Sequence, residues 1–248
     1  MNALDVERLS YRYRGGLEAL REVSFSVADG ERVGLIGPNG AGKSTLLLHL
    51  NGVLPERPPE PASVRVFGTP VAPATLPEIR ARVGLLFQDP DDQLFCPTVG
   101  EDVAFGPRQL GVREPELGSR VQRALAEVGL TGFEDRAPHR LSQGEKHRAC
   151  LAGILACQAR VLALDEPSSS LDPRGRRELT ELLRRLPGTQ IMATHDLELV
   201  VQTCSRVLLL DAGRLVAQGP TREILNDEEL MLAHGLERPH ILRHLHPH

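Results

Sequence analysis

The chain has 248 residues, 41% of them hydrophobic and 25% charged, with a formal net charge of −4. That length buries a sizeable core as one domain, or as one domain carrying a helical insert, and the acidic balance excludes a protein held on nucleic acid by bulk charge. No apolar run approaches the roughly 20 residues that cross a bilayer, and MNALDVERLS lacks the apolar core of a signal peptide; a cytoplasmic protein is expected, with any membrane role by attachment.

In chain order, ALDVERLSYRY and LREVSFSV alternate apolar and polar residues, which predicts strands, the second ending at the turn ADG. ERVGLIG is a short apolar strand ending in glycine, STLLLHLNGV a helix, LPERPPEPAS a Pro-rich loop and SVRVFG a further strand. ARVGLLF is a buried strand that leads into an acidic knot, FQDPDDQLF. From about Thr98 to Leu155 the pattern is helical, with Leu117, Val121, Leu125 and Val128 on one face. ARVLALDEP and TQIMATH read as strands around the helix PRGRRELTELLRRL, and CSRVLLLDAGRLVAQG as two strands joined at DAG. The alternation predicts an α/β domain over residues 1–235 with a helical insert at about 96–158, followed by a histidine-rich tail, 236–248. Cys96, Cys150, Cys157 and Cys204 form no C-x-x-C pair, and Cys150 and Cys157, two helical turns apart, read as small buried hydrophobes of a reduced compartment.

The chemistry is concentrated in a few short runs. Gly37-Pro38-Asn39-Gly40-Ala41-Gly42-Lys43-Ser44-Thr45 fits G-x-x-x-x-G-K-[ST] and stands between a predicted strand and a predicted helix. Its glycines let backbone N–H groups crowd a polyphosphate at the positive end of a helix dipole. Lys43 supplies a point charge for the terminal phosphates, and the Ser44 hydroxyl can ligate magnesium. Asp165 and Glu166 end a buried strand, the first suited to hold magnesium through water and the second to polarise an attacking water. These residues read as a nucleoside triphosphatase that uses Mg2+.

The order of the remaining motifs carries a family resemblance. Leu141-Ser142-Gln143-Gly144-Glu145 resembles the signature loop of ABC ATPases, with Gln143 and Glu145 departing from it while Ser142 and Gly144 keep it. Asp165 to Asp172 resembles the family's strand-end acids and D-loop, Met192 to Asp196 its switch-histidine segment at His195, Gln88 its Q-loop glutamine and Tyr13 the aromatic that stacks on adenine. The resemblance implies a P-loop, RecA-like α/β core with an N-terminal antiparallel β-subdomain and an inserted helical subdomain. It implies catalytic roles for Glu166, His195 and Gln88, and magnesium contacts for Ser44, Gln88 and Asp165. ATP contacts are implied for Tyr13, for Asn39, Gly40, Ala41, Gly42, Lys43, Ser44 and Thr45, for Asp172, and, from the second subunit of a head-to-tail homodimer or of paired ATPase subunits, for Ser142, Gln143, Gly144 and Glu145.

The run from Phe87 to Pro107 is similar to the corresponding segment of energy-coupling factor ATPases, which power uptake of vitamins or of cobalt and nickel ions through membrane coupling and substrate-binding subunits. On that resemblance the knot is a transmission loop at the cytoplasmic face of the membrane: Asp91 and Asp92 are expected to face solvent, and Leu94, Phe95, Pro97, Thr98 and Val99 to offer an apolar surface to a partner. His240, His244, His246 and His248 could bind a transition metal; they tip the expected cargo toward cobalt, with nickel or a vitamin as alternatives. A soluble ABC ATPase acting on nucleic acid or ribosomes is the competing class; the long heptad insert and the tandem cassette of such proteins are both missing.

Overall fold

The computed structural model describes residues 1–56, 61–169 and 171–243. Part of the Pro-rich loop (57–60), Ser170, and the tail histidines His244, His246 and His248 lie outside the described residues.

The alternating N-terminal segments form β1 (Asn2–Arg12) and β2 (Glu18–Ala28), which pair antiparallel. The apolar run after them forms β3 (Arg32–Ile36), followed by α1 (Lys43–Leu50), β4 (Val64–Val66), β5 (Thr69–Pro70), α2 (Leu76–Arg82) and β6 (Val83–Leu86). Helices α3 (Val99–Gln109), α4 (Glu116–Glu127) and α5 (Gln143–Ala156) stand between β6 and β7 (Val161–Asp165). Then come α6 (Pro173–Arg185), β8 (Thr189–Ala193), α7 (Leu197–Thr203), β9 (Arg206–Asp211), β10 (Arg214–Pro220), α8 (Thr221–Asn226), α9 (Glu228–Ala233) and α10 (His240–Arg243).

Among the described residues the strands make two sheets: an antiparallel one ordered β2-β1-β4-β5, and a six-stranded one ordered β10-β9-β3-β8-β7-β6. The second is parallel from β9 to β6, with β10 antiparallel at its edge. Its central strands are apolar on both faces because both are covered, as a parallel sheet requires. Val33, Leu35, Val161, Ala163, Ile191, Leu208 and Leu210 pack toward the antiparallel sheet and α1. The alternate residues Leu162, Leu164, Met192, Val207 and Leu209 join the core under the helices. Side chains of a strand alternate between faces, so one sheet divides the interior into two cores. This arrangement carries the ends of β3, β7 and β8, and with them the chemistry, to one edge of the sheet.

Several expectations need correction. The run ARVGLLF is not one strand: Ala81 and Arg82 close α2, whose single buried residue, Ile79, leaves no readable periodicity. Helices α7 to α10 were not foreseen. Cys150 is buried, but Cys157 lies past α5 as its C-cap and is only half-buried; burial pushes its thiol up to about 11. The start of the supposed tail is docked. Leu242 is buried, Leu236 packs on the core, and Ile241 N donates to Glu198 Oε1 at 3.1 Å.

Candidate functional site

The loop after β3 can be made only by glycines at two places. Gly37 has φ 148° and a Cβ there would fall 1.9 Å from Leu210 O; Gly42 has φ 103° and would meet Ala19 O at 2.4 Å. Both are left-handed conformations closed to other residues by backbone contact. Gly42 is the N-cap of α1 and no side chain caps the helix, so the first-turn N–H groups are left to a ligand. Lys43 is buried, and its Nζ donates to Gly37 O at 2.8 Å and Pro38 O at 3.0 Å. Burial lowers its pKa, and the carboxylates of Glu166 and Asp165 oppose that shift.

Asp165 ends β7, where burial raises the pKa of its carboxyl against a hydrogen bond from Ser44. Its Oδ1 is buried without a hydrogen-bond partner. Glu166 follows with φ 46°, a left-handed conformation strained for a residue with a Cβ. That backbone turn throws its carboxylate across to the end of β8. There Oε2 accepts from Thr194 Oγ1 at 2.9 Å, Oε1 accepts from His195 N at 3.2 Å, and His195 Nδ1 lies 2.8 Å from Oε2. The His195 side chain itself is 68% exposed. Ser168 and Asp196 brace the pair from behind, Ser168 Oγ donating to Asp196 Oδ2 at 3.0 Å.

A cleft of about 740 Å³ is lined by Tyr13, by Asn39 to Thr45, and by Gln88, Glu166 and His195. Eleven residues expected from the sequence, Glu166 among them, therefore line one cleft. Asp165 lies just beneath them. The same cleft is lined by Leu17, Glu18, Ala19, Arg21, Ala212 and Gly213, which sequence reasoning missed. The turn at Gly213 is brought there by β3–β9 pairing, with Gly213 N donating to Ala41 O at 3.1 Å and Arg21 N to Gly213 O at 2.8 Å. Only the DAG turn signal marked that segment in the sequence.

The signature loop is elsewhere. Ser142, Gln143, Gly144 and Asp172 line a second cleft of about 400 Å³ with Leu171 and Arg174. Ser142 caps α5: its Oγ accepts from Glu145 N at 3.3 Å, while the Glu145 carboxylate accepts from Ser142 N and Oγ, each at 2.8 Å. This capping box gives the departure at Glu145 a physical reason. Those hydrogen bonds hold the Glu145 carboxyl below its usual range. Gln143 is the first helical residue and is absent from the left-handed backbone positions, so glycine is not required there. Asp172 caps α6, accepting from Gly175 N at 2.6 Å. Ser142→Ala is expected to cost about 1 kcal/mol by removing both hydrogen bonds of the hydroxyl. Glu145→Gln should keep the cap but lose stability relative to wild type near neutral pH. The Glu145 pKa is lowered on folding, so its contribution is present above the unfolded value and fades as acid reaches the folded one. Thermal unfolding of the two proteins across acid pH should therefore converge.

The acidic knot is partly a structural clip. Pro90–Asp92 is a short 3-10 turn capped by Asp89 Oδ1, which accepts from Asp91 N at 2.9 Å. Asp91 is not simply solvated: it pairs with Lys146 of α5 at 2.6 Å. Leu94 is half-buried against the core, Val99 is fully buried and Thr98 caps α3, so these three do not form the expected apolar surface. Phe95 does, 65% exposed and edge-on to the 43% exposed Phe105, with ring centroids 4.9 Å apart.

The family model of the ABC transporter matches residues 20–169. A Streptomyces coelicolor chain named as an ABC transporter ATP-binding protein is 53% identical over 237 residues, covering 96% of this chain and 90% of that one. The energy-coupling factor transporter ATP-binding protein EcfA of Methanothermobacter thermautotrophicus is 46% identical over 241 residues, covering 95% and 76%. The solved structure of cbiO1 from Clostridium perfringens, part of the ABC transporter complex cbiONQ, superposes with a TM-score of 0.80 at 35% identity and 98% coverage of both chains. The glycine-bound phosphate loop, the strand-end acids and the separate signature loop thus stand in a chain that belongs to the ABC transporter family, as an ATP-binding, ATP-hydrolysing subunit of the energy-coupling factor type.

Proposed function

We propose that this chain works as a head-to-tail homodimer that sandwiches ATP and powers an energy-coupling factor importer, with cobalt as its cargo, from the cytoplasmic face of the membrane. The observation that carries the reading is the separation of the two clefts, which have no lining residue in common. The signature serine and glycine line a cleft apart from the phosphate loop of their own chain, so in this reading a second subunit brings them to it.

In this arrangement Lys43 and the first-turn N–H groups of α1 hold the β- and γ-phosphates, and Tyr13 stacks on adenine. Ser142, Gln143, Gly144 and Asp172 meet the γ-phosphate across the interface, with Glu145 holding the signature helix start in shape. The Asp165 carboxylate, with Oδ1 orphaned, and the Ser44 hydroxyl that bonds to it offer oxygens, which suit a hard divalent cation. Ser44 and Gln88 would hold Mg2+, with Asp165 behind them, and the ion would neutralise phosphate charge. Glu166 takes a proton from the attacking water, and His195 passes between Glu166 and the γ-phosphate, having a ring nitrogen for each. Hydrolysis removes the group that completes the interface, so the dimer opens.

No helix among the described residues is long and apolar enough to cross a membrane, and attachment through membrane subunits fits the exposed Phe95–Phe105 pair. Phe95→Ala with Phe105→Ala is expected to leave the unfolding temperature and the basal ATPase of the isolated subunit nearly unchanged. In the assembled transporter the same pair should weaken membrane-subunit binding, at about 1–3 kcal/mol per aromatic anchor. Leu94→Ala should behave in the opposite way, destabilising the subunit by about 1–2 kcal/mol through lost packing. The histidines after Arg238 support a transition-metal cargo over a vitamin. The test is recovery of the chain with its partners from native membranes and uptake by the reconstituted complex. ATP-dependent cobalt accumulation is expected. Uptake of nickel or a vitamin alone would overturn the cargo, and recovery of ribosomes or DNA without any integral membrane protein would overturn the transport reading.

A further inference from the structure

Four residues close a ring beside the nucleotide cleft. Tyr13 Oη lies 3.0 Å from Thr45 Oγ1, and Thr45 O accepts from His49 Nδ1 at 2.7 Å. The His49 ring meets Tyr11 edge-on with centroids 4.7 Å apart, and Tyr11 meets Tyr13 edge-on at 4.9 Å. Tyr13 and Thr45 line the cleft; Tyr11 and His49 do not. His49 is 2% exposed, deep on α1, and its Nε2 is buried without a partner. With Nδ1 facing a carbonyl, Nδ1 carries a proton, and burial, which pushes the ring's pKa down, favours the neutral form over one with a second proton on the unpartnered Nε2.

We propose that Tyr11 and His49 are positioning residues for nucleotide binding: they hold the Tyr13 ring against the cleft and so set the affinity for the base of ATP without touching it. Tyr13 follows the last residue of β1 and belongs to a short exposed turn, with Tyr13 N donating to Leu17 O at 2.9 Å. A ring on such a turn samples several rotamers unless neighbours fix it, and fixing it beforehand removes that ordering cost from binding. The hydrogen bond to Thr45 locks the tip of the ring and the Tyr11 edge locks its flank. His49 backs the second lock: its ring is fixed on α1 by the Thr45 main-chain carbonyl and meets Tyr11 edge-on. The ring also ties the base end of the cleft to α1, whose first turn faces the phosphates.

The inference rests on Tyr13 meeting the base, so the test uses two probes, ATP and inorganic tripolyphosphate, titrated calorimetrically in the slowly hydrolysing Glu166→Gln protein. His49→Asn keeps a donor near the Nδ1 position and loses the ring; Tyr11→Leu loses the other ring. Each is expected to raise the ATP Kd about 3- to 10-fold and leave the tripolyphosphate Kd unchanged. With Glu166 restored, KM for ATP should rise by a similar factor while kcat at saturation stays within about two-fold. His49→Phe, which keeps the edge on Tyr11, should recover part of the loss. Nitrogen NMR of the imidazole should report Nδ1–H with a bare Nε2. Equal losses for ATP and tripolyphosphate, or a lowered unfolding temperature with unchanged ATP affinity, would make the ring a packing feature and overturn the proposal. Tyr13→Ala separates the two levels. If it spares ATP affinity, the assignment of Tyr13 to the base fails and the ring fails with it. If it costs ATP affinity while Tyr11→Leu and His49→Asn do not, the ring alone fails.

Discussion

Glu166→Gln is expected to lower ATP turnover about 10²- to 10⁴-fold, the range lost when a positioned general base is removed, while ATP stays bound. The amide is nearly isosteric and keeps one oxygen for the donors that converge on the carboxylate. Thr194 Oγ1 donates to Glu166 and also accepts from Asp196 N at 3.0 Å, and its second lone pair can accept from an amide nitrogen. His195 Nδ1, 2.8 Å from Oε2, can accept from an amide nitrogen in its other tautomer. The left-handed backbone at Glu166 is unaltered by the exchange. Folding stability should therefore change by less than about 1 kcal/mol. Single-turnover ATP hydrolysis together with thermal unfolding measures both quantities. A slow enzyme that has also lost its fold would mean that Glu166 acts as a structural strut.

Lys43→Ala should act earlier, on binding. A charge-assisted hydrogen bond is worth about 1.5–3 kcal/mol, so the ATP Kd is expected to rise about 10- to 100-fold. The cost to the fold should be small, because two effects oppose one another. Removing Nζ takes a donor from Gly37 O and Pro38 O, but it also removes a cation whose burial lowers its pKa. A lysine with a lowered folded pKa destabilises the fold while it is charged, and the penalty fades as pH rises through the folded value toward the unfolded one. Wild type should thus gain stability relative to Lys43→Ala on going from neutral to alkaline pH. A variant that binds ATP as wild type does would remove Lys43 from the phosphate site.

The parts of this molecule that were legible in its sequence are those written in consecutive residues. Gly37 to Thr45 needs its glycines because of contacts with Leu210 O and Ala19 O, and the spacing of those glycines is visible without knowing the contacts. The strand-end pair Asp165–Glu166 was likewise readable, since a buried run ending in two acids is a local pattern. What stayed hidden depends on tertiary neighbours. Gly213 enters the nucleotide cleft only because β9 pairs with β3, and a hairpin turn gives no hint of that. Leu94 and Phe95 are adjacent and both apolar, yet one packs on the core and the other is exposed with Phe105. Composition cannot separate them. Ser142-Gln143-Gly144-Glu145 shows a different loss: the capping-box spacing was present, but the family pattern made Glu145 look like a departure.

The claim that the ATP site is completed by a second subunit is tested most directly by complementation in the Glu166→Gln background. One partner carries Lys43→Ala, which spoils its phosphate loop. The other carries Gly144→Asp, which places a carboxylate in the second cleft at a helical position where a Cβ meets only Leu171 Cδ2, at 3.4 Å. Neither protein alone should occlude ATP. Mixed, they form one composite site in which an intact phosphate loop faces an intact signature loop, and the account predicts that the mixture traps ATP with Mg2+ in a stable dimer. Occlusion by the Gly144→Asp protein alone, or none in the mixture, would contradict it.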